Sequence, residues 1–284
     1  MKPHIRDIVR RALEEDLGTG DVTSLYTVPP KRKAVGIFLA KQPAVVAGLD
    51  VVAEVFRQLH GAKFVPVVKD GAKVKPRAAI AEIAGNARSI LAGERVALNF
   101  LQRLSGTATL TRQFVDKVRG TRAQILDTRK TTPGLRLLQK AAVCAGGGTN
   151  HRMGLYDAAM IKDNHVEAVG DEEALREAVL AMRAEKGPNF RIEIEAQNED
   201  QALAFAQFDI DVLMLDNMAG PVMKKLVPFL RKLNPSMVIE ASGGVSLKTV
   251  RAIAETGVDW ISVGALTHSA PAVDISLELH LPRK

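Results

Sequence analysis

Five basic side chains lie close together in the middle of the chain: Arg129, Lys130, His151, Arg152 and Lys162. Each follows a short apolar run or lies in a polar segment between such runs, where predicted strands end. Like charges in one cleft repel each other, and a polyanion relieves that repulsion. Arginine grips carboxylate or phosphate through two parallel hydrogen bonds, whereas lysine acts as a point charge. The set therefore indicates a polyanionic substrate, and the alternative is a group of ordinary surface charges.

Carboxylates occupy comparable positions further along the chain. Glu193 and Glu195 alternate with isoleucines, so both are expected on one face of a strand. Asp216 ends the next apolar run. Carboxylates at adjacent strand ends suit ribose hydroxyls, a metal ion, or positive charge that builds at a sugar C1. The alternative is that they balance neighbouring lysines and arginines, and the residues alone leave both interpretations open.

Two glycine-containing turns follow later apolar runs. The first is Ser242-Gly243-Gly244, and the second begins at Gly264 and ends at His268. Turns of this kind at successive strand ends bind phosphate through backbone N–H groups in many barrels. The alternative is that the glycines only permit tight turns. The sequence has no Walker phosphate loop, no dinucleotide fingerprint and no H-E-x-x-H zinc motif.

The elements that must position these residues alternate in type. Helical segments separate six short apolar runs, which are residues 125–126, 158–161, 192–194, 212–215, 238–239 and 260–263. Alternating strands and helices predict a parallel sheet. Polar or glycine clusters follow all six runs, which favours a β/α barrel over a doubly wound sheet with one switch point.

The first part of the chain has a different pattern of apolar residues. Its pattern predicts a helix at 5–13, extended segments at 33–48, 62–68 and 73–83, and a long helix at 87–118. Within the long helix, Ser105-Gly106-Thr107 is expected to bend or break the chain.

Composition limits the class of protein. With 284 residues, of which 46% are hydrophobic and 25% charged, the chain is typical of a globular protein of one or two domains. No apolar stretch is long enough to span a membrane, and the charged first residues lack a signal-peptide core, so a cytoplasmic location is expected. The single cysteine, Cys144, excludes an internal disulfide and a cysteine-built zinc site.

The net charge of +7 suits an anionic partner. Nucleic-acid binders usually add interleaved aromatic residues or a charged tail, whereas aromatic residues make up only 4% here and no run of five like charges occurs. A small polyanion is therefore favoured. A non-enzymatic nucleic-acid binder is the alternative from a different class.

Several motifs together resemble one family, the quinolinate phosphoribosyltransferases. They are Asp127–Gly134 (DTRKTTPG), Gly147–Arg152 (GGTNHR), Ile161–His165 (IKDNH), Leu215–Asn217 (LDN), Glu240–Gly244 (EASGG) and Glu94–Asn99 (ERVALN). The resemblance runs in order from about Leu13 to Leu279. It implies a pentosyltransferase that converts quinolinate and phosphoribosyl pyrophosphate into nicotinate mononucleotide, pyrophosphate and CO₂, in de novo NAD biosynthesis.

The resemblance also implies an architecture. An N-terminal α+β open sandwich domain at 1–108 is followed by an incomplete, seven-stranded α/β barrel at 109–269, and the tail 270–284 rejoins the first domain. Mg²⁺ is implied as a companion carried mainly by the substrate's pyrophosphate. A homodimer, or an assembly of dimers, is implied as well, with no nucleic acid and no membrane as partner.

The implied quinolinate site has four side chains for the two carboxylates: Arg129, His151, Arg152 and Lys162. Arg95 is implied to come from the partner subunit and to complete that site. Lys130, with Lys162, is implied to face the pyrophosphate, and Thr128 belongs to the same substrate-binding segment.

The ribose hydroxyls, and the positive charge at C1, are implied to be held by Glu195 and Asp216. The 5′-phosphate is implied to bind at Ser242, Gly243, Gly244, Gly264 and His268. The catalytic set is then Lys130, Lys162, Glu195 and Asp216, with no protein ligand for a metal.

Two related functions are the nearest rivals. One is a phosphoribosyltransferase-like paralogue associated with molybdate transport, which shares the fold but whose pattern differs at the IKDNH segment. The other is a barrel aldolase that would use Lys162 to form a Schiff base. The neighbouring arginines and lysine suit anion binding better than they suit such a nucleophile.

Overall fold

The computed structural model describes residues 2–281, which divide into two compact units. The first contains the chain as far as Arg112, then Thr131–Gly147 and the chain from Leu266 onward; the second contains Gln113–Lys130 and Gly148–Ala265. The domain limits predicted from the sequence, at residues 108 and 269, stay a prediction. The last residues of the predicted tail, 282–284, lie outside the described residues.

The first unit is built from an antiparallel sheet and helices. Its elements are α1 (Lys2–Leu17), α2 (Val22–Thr27), β1 (Lys33–Ala40), β2 (Ala44–Val45), α3 (Leu49–Leu59), β3 (Ala62–Pro66), β4 (Lys73–Val74), β5 (Ala79–Asn86), α4 (Ala87–Lys117, within this unit as far as Arg112), α5 (Arg136–Gly146), α11 (Ala265–His268, within this unit from Leu266) and β12 (Ile275–His280). The strand order is β12-β1-β5-β3, and β2 pairs with β4 in a small second sheet. Every neighbouring pair in these sheets is antiparallel.

Apolar alternation explains how this sheet covers its core. In β1, every second residue from Ala34 to Ala40 is buried, as expected for a strand with one face on the interior. Phe38 lies at the centre, fully buried and 5.8 Å from the ring of Phe64 and 6.3 Å from that of Phe56, edge to face. The buried face of α3 and α4 completes one contiguous apolar cluster.

The long helix α4 is continuous, so the expected break at Ser105-Gly106-Thr107 is wrong. Gly106 has a packing role instead, because a Cβ there would lie 2.1 Å from the carbonyl oxygen of Pro271. The buried Ser105 hydroxyl accepts a hydrogen bond from the backbone N–H of Ala47 at 3.0 Å. These small residues admit neighbouring backbone and do not interrupt the helix.

The second unit alternates strands and helices as predicted. Its elements are β6 (Gln124–Leu126), β7 (Ala159–Ile161), α6 (Asp163–Val169), α7 (Glu172–Lys186), β8 (Ile192–Ala196), α8 (Glu199–Phe205), β9 (Val212–Asp216), α9 (Gly220–Leu233), β10 (Val238–Ser242), α10 (Val250–Ala254) and β11 (Trp260–Ser262). All strand pairs are parallel, in the order β6-β11-β10-β9-β8-β7. The six strands coincide with the six apolar runs of the sequence.

The incomplete α/β barrel is confirmed, with six paired strands among the described residues where the family resemblance implied seven. A single parallel bridge between Leu126 and Thr149 lies beside β6. It is too short to count as a strand, because the polar segment from Gly148 to Asn150 has no apolar run to continue the pairing.

No helix within residues 2–281 combines the length and the apolarity that crossing a membrane requires.

Candidate active site

Three neighbouring parallel strands of the second unit end in charged side chains. Lys162 follows β7, Glu195 lies near the end of β8, and Asp216 ends β9. Lys162 is also the N-cap of α6, with an extended backbone, and its N–H donates to His165 Nδ1 at 2.9 Å. Because parallel strands end at the same edge of a sheet, the three side chains are brought to one place.

The closest contact at this edge is an ion pair. Lys162 Nζ lies 2.5 Å from Glu195 Oε2, and the side chains are 43% and 9% exposed. Burial raises the pKa of Glu195 although Lys162 opposes the shift, and the nearby carboxylates of Asp216 and Asp163 add to the rise. The edge therefore holds a concentrated negative charge that one lysine offsets in part.

Asp216 is oriented by the residue that follows it. Asn217 Nδ2 donates to Asp216 Oδ2 at 2.7 Å, and Asn217 N–H donates to the carbonyl of Ser242 at 2.9 Å. A Cβ on Gly243 would lie 2.1 Å from Asn217 Oδ1, and its φ of 91° is in the left-handed region. Gly243 is thus required both for its conformation and for the close approach of the two strand ends.

Two guanidinium groups lie in the same unit. Arg152 is buried, and its Nη1 donates to the carbonyl of Ala158 at 3.1 Å. Burial lowers the pKa of Arg152, and the positive charge of Arg129 lowers it further. Because burial limits the hydration of these arginines, their mutual repulsion is only weakly screened by water. An anion that binds to both relieves the repulsion, so the pair favours anion binding. Beside them, Lys130 is exposed, and its N–H donates to Thr128 Oγ1 at 3.1 Å.

His151 is held from three directions. Its backbone N–H donates to Asp127 Oδ1 at 2.9 Å, and its Nδ1 accepts from the N–H of Arg152 at 2.7 Å. Its Nε2 lies 3.1 Å from Glu193 Oε2 and 3.3 Å from Glu240 Oε2. We call His151, Glu193 and Glu240 the buried trio, because their side chains are at most 4% exposed.

Protonation of the buried trio is shared. Burial opposes a charged imidazole, but the two carboxylates next to Nε2 outweigh it and raise the pKa of His151 to about 9. Burial and the charge of Glu240 raise the pKa of Glu193 to about 7. An imidazole that accepts at Nδ1 carries its hydrogen on Nε2 and is neutral. The additional proton therefore belongs to the trio as a whole and not to one residue.

The second unit contains most of the site residues predicted from the sequence. They are Thr128, Arg129, Lys130, His151, Arg152, Lys162, Glu195, Asp216, Ser242, Gly243, Gly244 and Gly264. Arg95 and His268 belong to the first unit, where both are exposed. Every substrate-binding role assigned to these residues stays a prediction.

Sequence reasoning missed Glu240 and Asp127, and left Glu193 with two interpretations. All three are fully buried, and each is a charged residue within or directly after a buried strand. The signal was available, because a charge inside an apolar run requires a partner. The partner could not be identified, since the trio joins β8 and β10 with a loop residue.

The chain matches two family descriptions. Residues 21–105 match "Quinolinate phosphoribosyl transferase, N-terminal domain", and residues 107–278 match the C-terminal domain of the same family. A Mycobacterium leprae protein named nicotinate-nucleotide pyrophosphorylase [carboxylating] is 43% identical over 280 residues, covering 96% of each chain. A Bacillus subtilis protein named as a probable enzyme of the same kind is 40% identical, covering 98% of this chain and 94% of its own.

A solved structure is similar over the whole length. The nicotinate-nucleotide pyrophosphorylase from Francisella tularensis superimposes with a TM-score of 0.90 at 37% identity, covering 99% of this chain and 97% of its own.

Proposed function

The chain belongs to the quinolinate phosphoribosyltransferase family, and from this premise we propose how its second unit carries out the reaction. The protein is a decarboxylating pentosyltransferase: it transfers phosphoribosyl from phosphoribosyl pyrophosphate to quinolinate and forms nicotinate mononucleotide, pyrophosphate and CO₂. The observation that carries the mechanism is the Lys162–Glu195 ion pair at the edge that also holds Asp216. This arrangement places a lysine that can bind anionic substrates next to carboxylates that can stabilise the positive charge developing at C1.

The two carboxylates of quinolinate bind to the arginine side of this site. Arg152 and Arg129 repel each other, and a dicarboxylate relieves the repulsion while it forms charge-assisted hydrogen bonds. Lys162 is 43% exposed, so it can exchange Glu195 for a substrate carboxylate or the pyrophosphate. His151 belongs to the same carboxylate-binding set, and exposed Lys130 faces the pyrophosphate.

The ribose end of the site is acidic. Glu195 and Asp216 accept hydrogen bonds from the ribose hydroxyls and stabilise the positive charge that develops at C1 as pyrophosphate leaves. The Asn217 hydrogen bond fixes one oxygen of Asp216 and leaves the other for substrate. The backbone of Ser242, Gly243 and Gly244, with Gly264, binds the 5′-phosphate.

The bond changes follow from this alignment. The pyridine nitrogen attacks C1, the N–C1 bond forms, and the C1–O bond breaks as pyrophosphate leaves with both electrons. The resulting pyridinium accepts the electron pair of the bond to the 2-carboxylate, CO₂ departs, and a proton from water replaces it. The attacking nitrogen carries no proton, so no general base is required, and alignment with electrostatic stabilisation supplies the catalysis.

Three further features belong to the same proposal and rest on the family resemblance. Mg²⁺ enters with the pyrophosphate as part of the substrate. The protein acts as a cytoplasmic homodimer. Arg95, supplied across the dimer, completes the quinolinate subsite, and His268 is part of the phosphate subsite.

The Schiff-base alternative is disfavoured by the geometry of Lys162. A lysine that forms a Schiff base needs a neutral amine, whereas the Lys162 ammonium is ion-paired with Glu195. Incubation with an aldehyde and borohydride should therefore leave Lys162 unmodified.

The decisive test is formation of the product. The protein with quinolinate, phosphoribosyl pyrophosphate and Mg²⁺ should form nicotinate mononucleotide and one equivalent of ¹³CO₂ from quinolinate labelled at its 2-carboxylate. Nicotinate is the matched control, because it lacks only that carboxylate. A site built for two carboxylates should use nicotinate about 10⁴-fold less well in kcat/KM, since buried cations stay unpaired. Equal use of the two pyridines would contradict the proposed site.

A further inference from the structure

The buried trio has no part in the bond changes described above. Its carboxylates come from two strands that are not neighbours, β8 and β10, with β9 between them. Both reach the same nitrogen of His151, at 3.1 and 3.3 Å. Burying two carboxylates costs several kcal/mol of folding free energy unless cations or hydrogen bonds compensate them. Packing alone therefore does not explain why two glutamates reach His151, because apolar side chains would fill the same space at a lower cost.

A metal ion is one group that such a trio could hold, since its ligand atoms lie within 4.8 Å of one another. The imidazole geometry argues against it. Nδ1 accepts from the N–H of Arg152, so Nε2 carries the ring hydrogen and has no lone pair to offer. Burial raises the pKa of Glu193, and the positive charge of Arg191, together with the proton that the trio shares, opposes that rise. Cations therefore already compensate the carboxylates.

The neighbours of the trio connect it to the quinolinate subsite. The N–H of Arg152 contacts His151 Nδ1, so the position of the ring determines where the backbone of Arg152 lies. The negative charge of Glu193 also acts on the Arg152 guanidinium, together with that of Asp157. Asp127 Oδ1 accepts a hydrogen bond from the backbone N–H of His151. A shift of the imidazole would therefore displace the arginine that the substrate needs.

We propose that Glu193 and Glu240 are positioning residues, which hold the His151 imidazole by Nε2 and through it fix Arg152 for quinolinate. The inference rests on the proposed function for the identity of the ligand. The two glutamates touch no substrate. They determine the orientation and the charge of the basic side of the site.

The chain contains its own probe for this arrangement. Trp260 is its single tryptophan, and its ring centre lies 6.3 Å from that of His151, edge to face. A protonated imidazole quenches indole emission more strongly than a neutral one, so Trp260 fluorescence against pH reports protonation of the trio without any substrate. Glu193→Gln and Glu240→Gln keep the side-chain shape and remove one carboxylate each. Glu177→Gln removes the same charge from an exposed position on α7 and is the matched control.

The wild-type fluorescence should show a transition between pH 7 and 9, set by the pKa values of Glu193 and His151. Each trio variant should move its midpoint to lower pH, because His151 loses a carboxylate, and Glu177→Gln should leave it unchanged. The trio variants should also raise the KM for quinolinate about tenfold, with the KM for phosphoribosyl pyrophosphate and kcat nearly constant.

A double-mutant cycle tests whether the glutamates act through the ring. In a His151→Gln background, Glu193→Gln should add no further increase in the quinolinate KM. Additive effects, or trio variants that lower only the melting temperature, would show that the glutamates are structural and overturn the proposal. A stoichiometric metal in the purified protein, lost in Glu240→Gln, would overturn it as well. A fluorescence shift without any phosphoribosyl transfer by the wild type would contradict only the proposed function.

Discussion

The interiors of the two units differ in chemistry. The first unit buries phenylalanines and aliphatic side chains between its antiparallel sheet and its helices, and Lys140 is its one buried charged residue among the described residues. The second unit buries six acidic or basic side chains along its parallel sheet, which are Asp127, His151, Arg152, Glu193, Glu195 and Glu240. One interior is almost wholly apolar, and the other keeps several charged side chains out of water.

Buried charge reduces stability unless partners compensate it, so such side chains are retained where function requires them. In β8, isoleucines and glutamates alternate, and all five residues are buried. The isoleucines supply packing, and the glutamates supply charge on the opposite face. A substitution in the first unit should therefore change the free energy of unfolding, whereas one at the second sheet should change kinetics first.

The largest expected effect tests the cohesive interior. Phe38→Ala removes a fully buried ring from the centre of the first unit and should destabilise it by about 3–5 kcal/mol. Chemical unfolding followed by circular dichroism measures the loss. At a temperature where the variant is folded, the KM for each substrate should equal that of the wild type. A large change in KM with little change in stability would contradict the expectation that substitutions in the first unit affect stability and not kinetics.

The second prediction concerns the acidic edge of the other unit. Glu195→Ala and Asp216→Ala should each lower kcat by about 10²-fold or more, because a positioned charge is lost. Both residues lie at strand ends, so the folded state should remain, as judged by circular dichroism. Glu177→Ala, on the exposed face of α7, controls for the loss of one carboxylate. Normal turnover in either variant would show that its carboxylate only balances neighbouring positive charges and has no role in catalysis.

The sequence predicted this edge because short apolar runs and their polar ends are local signals. An apolar run directly precedes each of the three charged residues at this edge, Lys162, Glu195 and Asp216. The role of Gly106 could not be predicted, because it depends on contact with Pro271, far along the chain. The same holds for Glu240, whose partner His151 becomes its neighbour only when the sheet forms.

Arg95 tests whether the first unit also contributes to catalysis. It is exposed on α4, while Val96 and Leu98 of the same turn are buried, so the helix holds the core with one face and presents a cation on another. If the partner subunit supplies Arg95, homodimers of Arg95→Ala and of Lys162→Ala should both be nearly inactive. After mixing and random exchange, about a quarter of the sites should be intact, because each heterodimer has one complete site.

The measurement is specific activity before and after exchange, with mass spectrometry to demonstrate the mixed dimers. Mixing Arg95→Ala with wild type provides the control for exchange itself. Mixed dimers that form from two inactive variants without any gain in activity would place Arg95 in its own chain's site.

The last prediction is a dependence of stability on pH that arises in one unit only. His151 and Glu193 have pKa values of about 9 and 7 in the folded protein, above their ordinary values of 6.5 and 4.5. Both groups therefore bind protons in the native state that the unfolded chain has lost. Their contribution to stability is complete below the unfolded pKa and is lost as pH rises through the folded pKa. The second unit should become less stable from about pH 5 to pH 9.

Trp260 reports this transition, because it lies in β11 beside the buried trio. The melting temperature followed by its fluorescence should fall across this range. In Glu193→Gln the fall in melting temperature should be smaller, because the glutamate with the raised pKa is absent and His151 has lost one of its two carboxylates. Phe38→Ala should retain the wild-type slope, because its defect lies in an interior where no such trio titrates. An equal slope in Glu193→Gln and wild type would show that the pH dependence arises elsewhere, and the contrast between the two interiors would then lose its electrostatic basis.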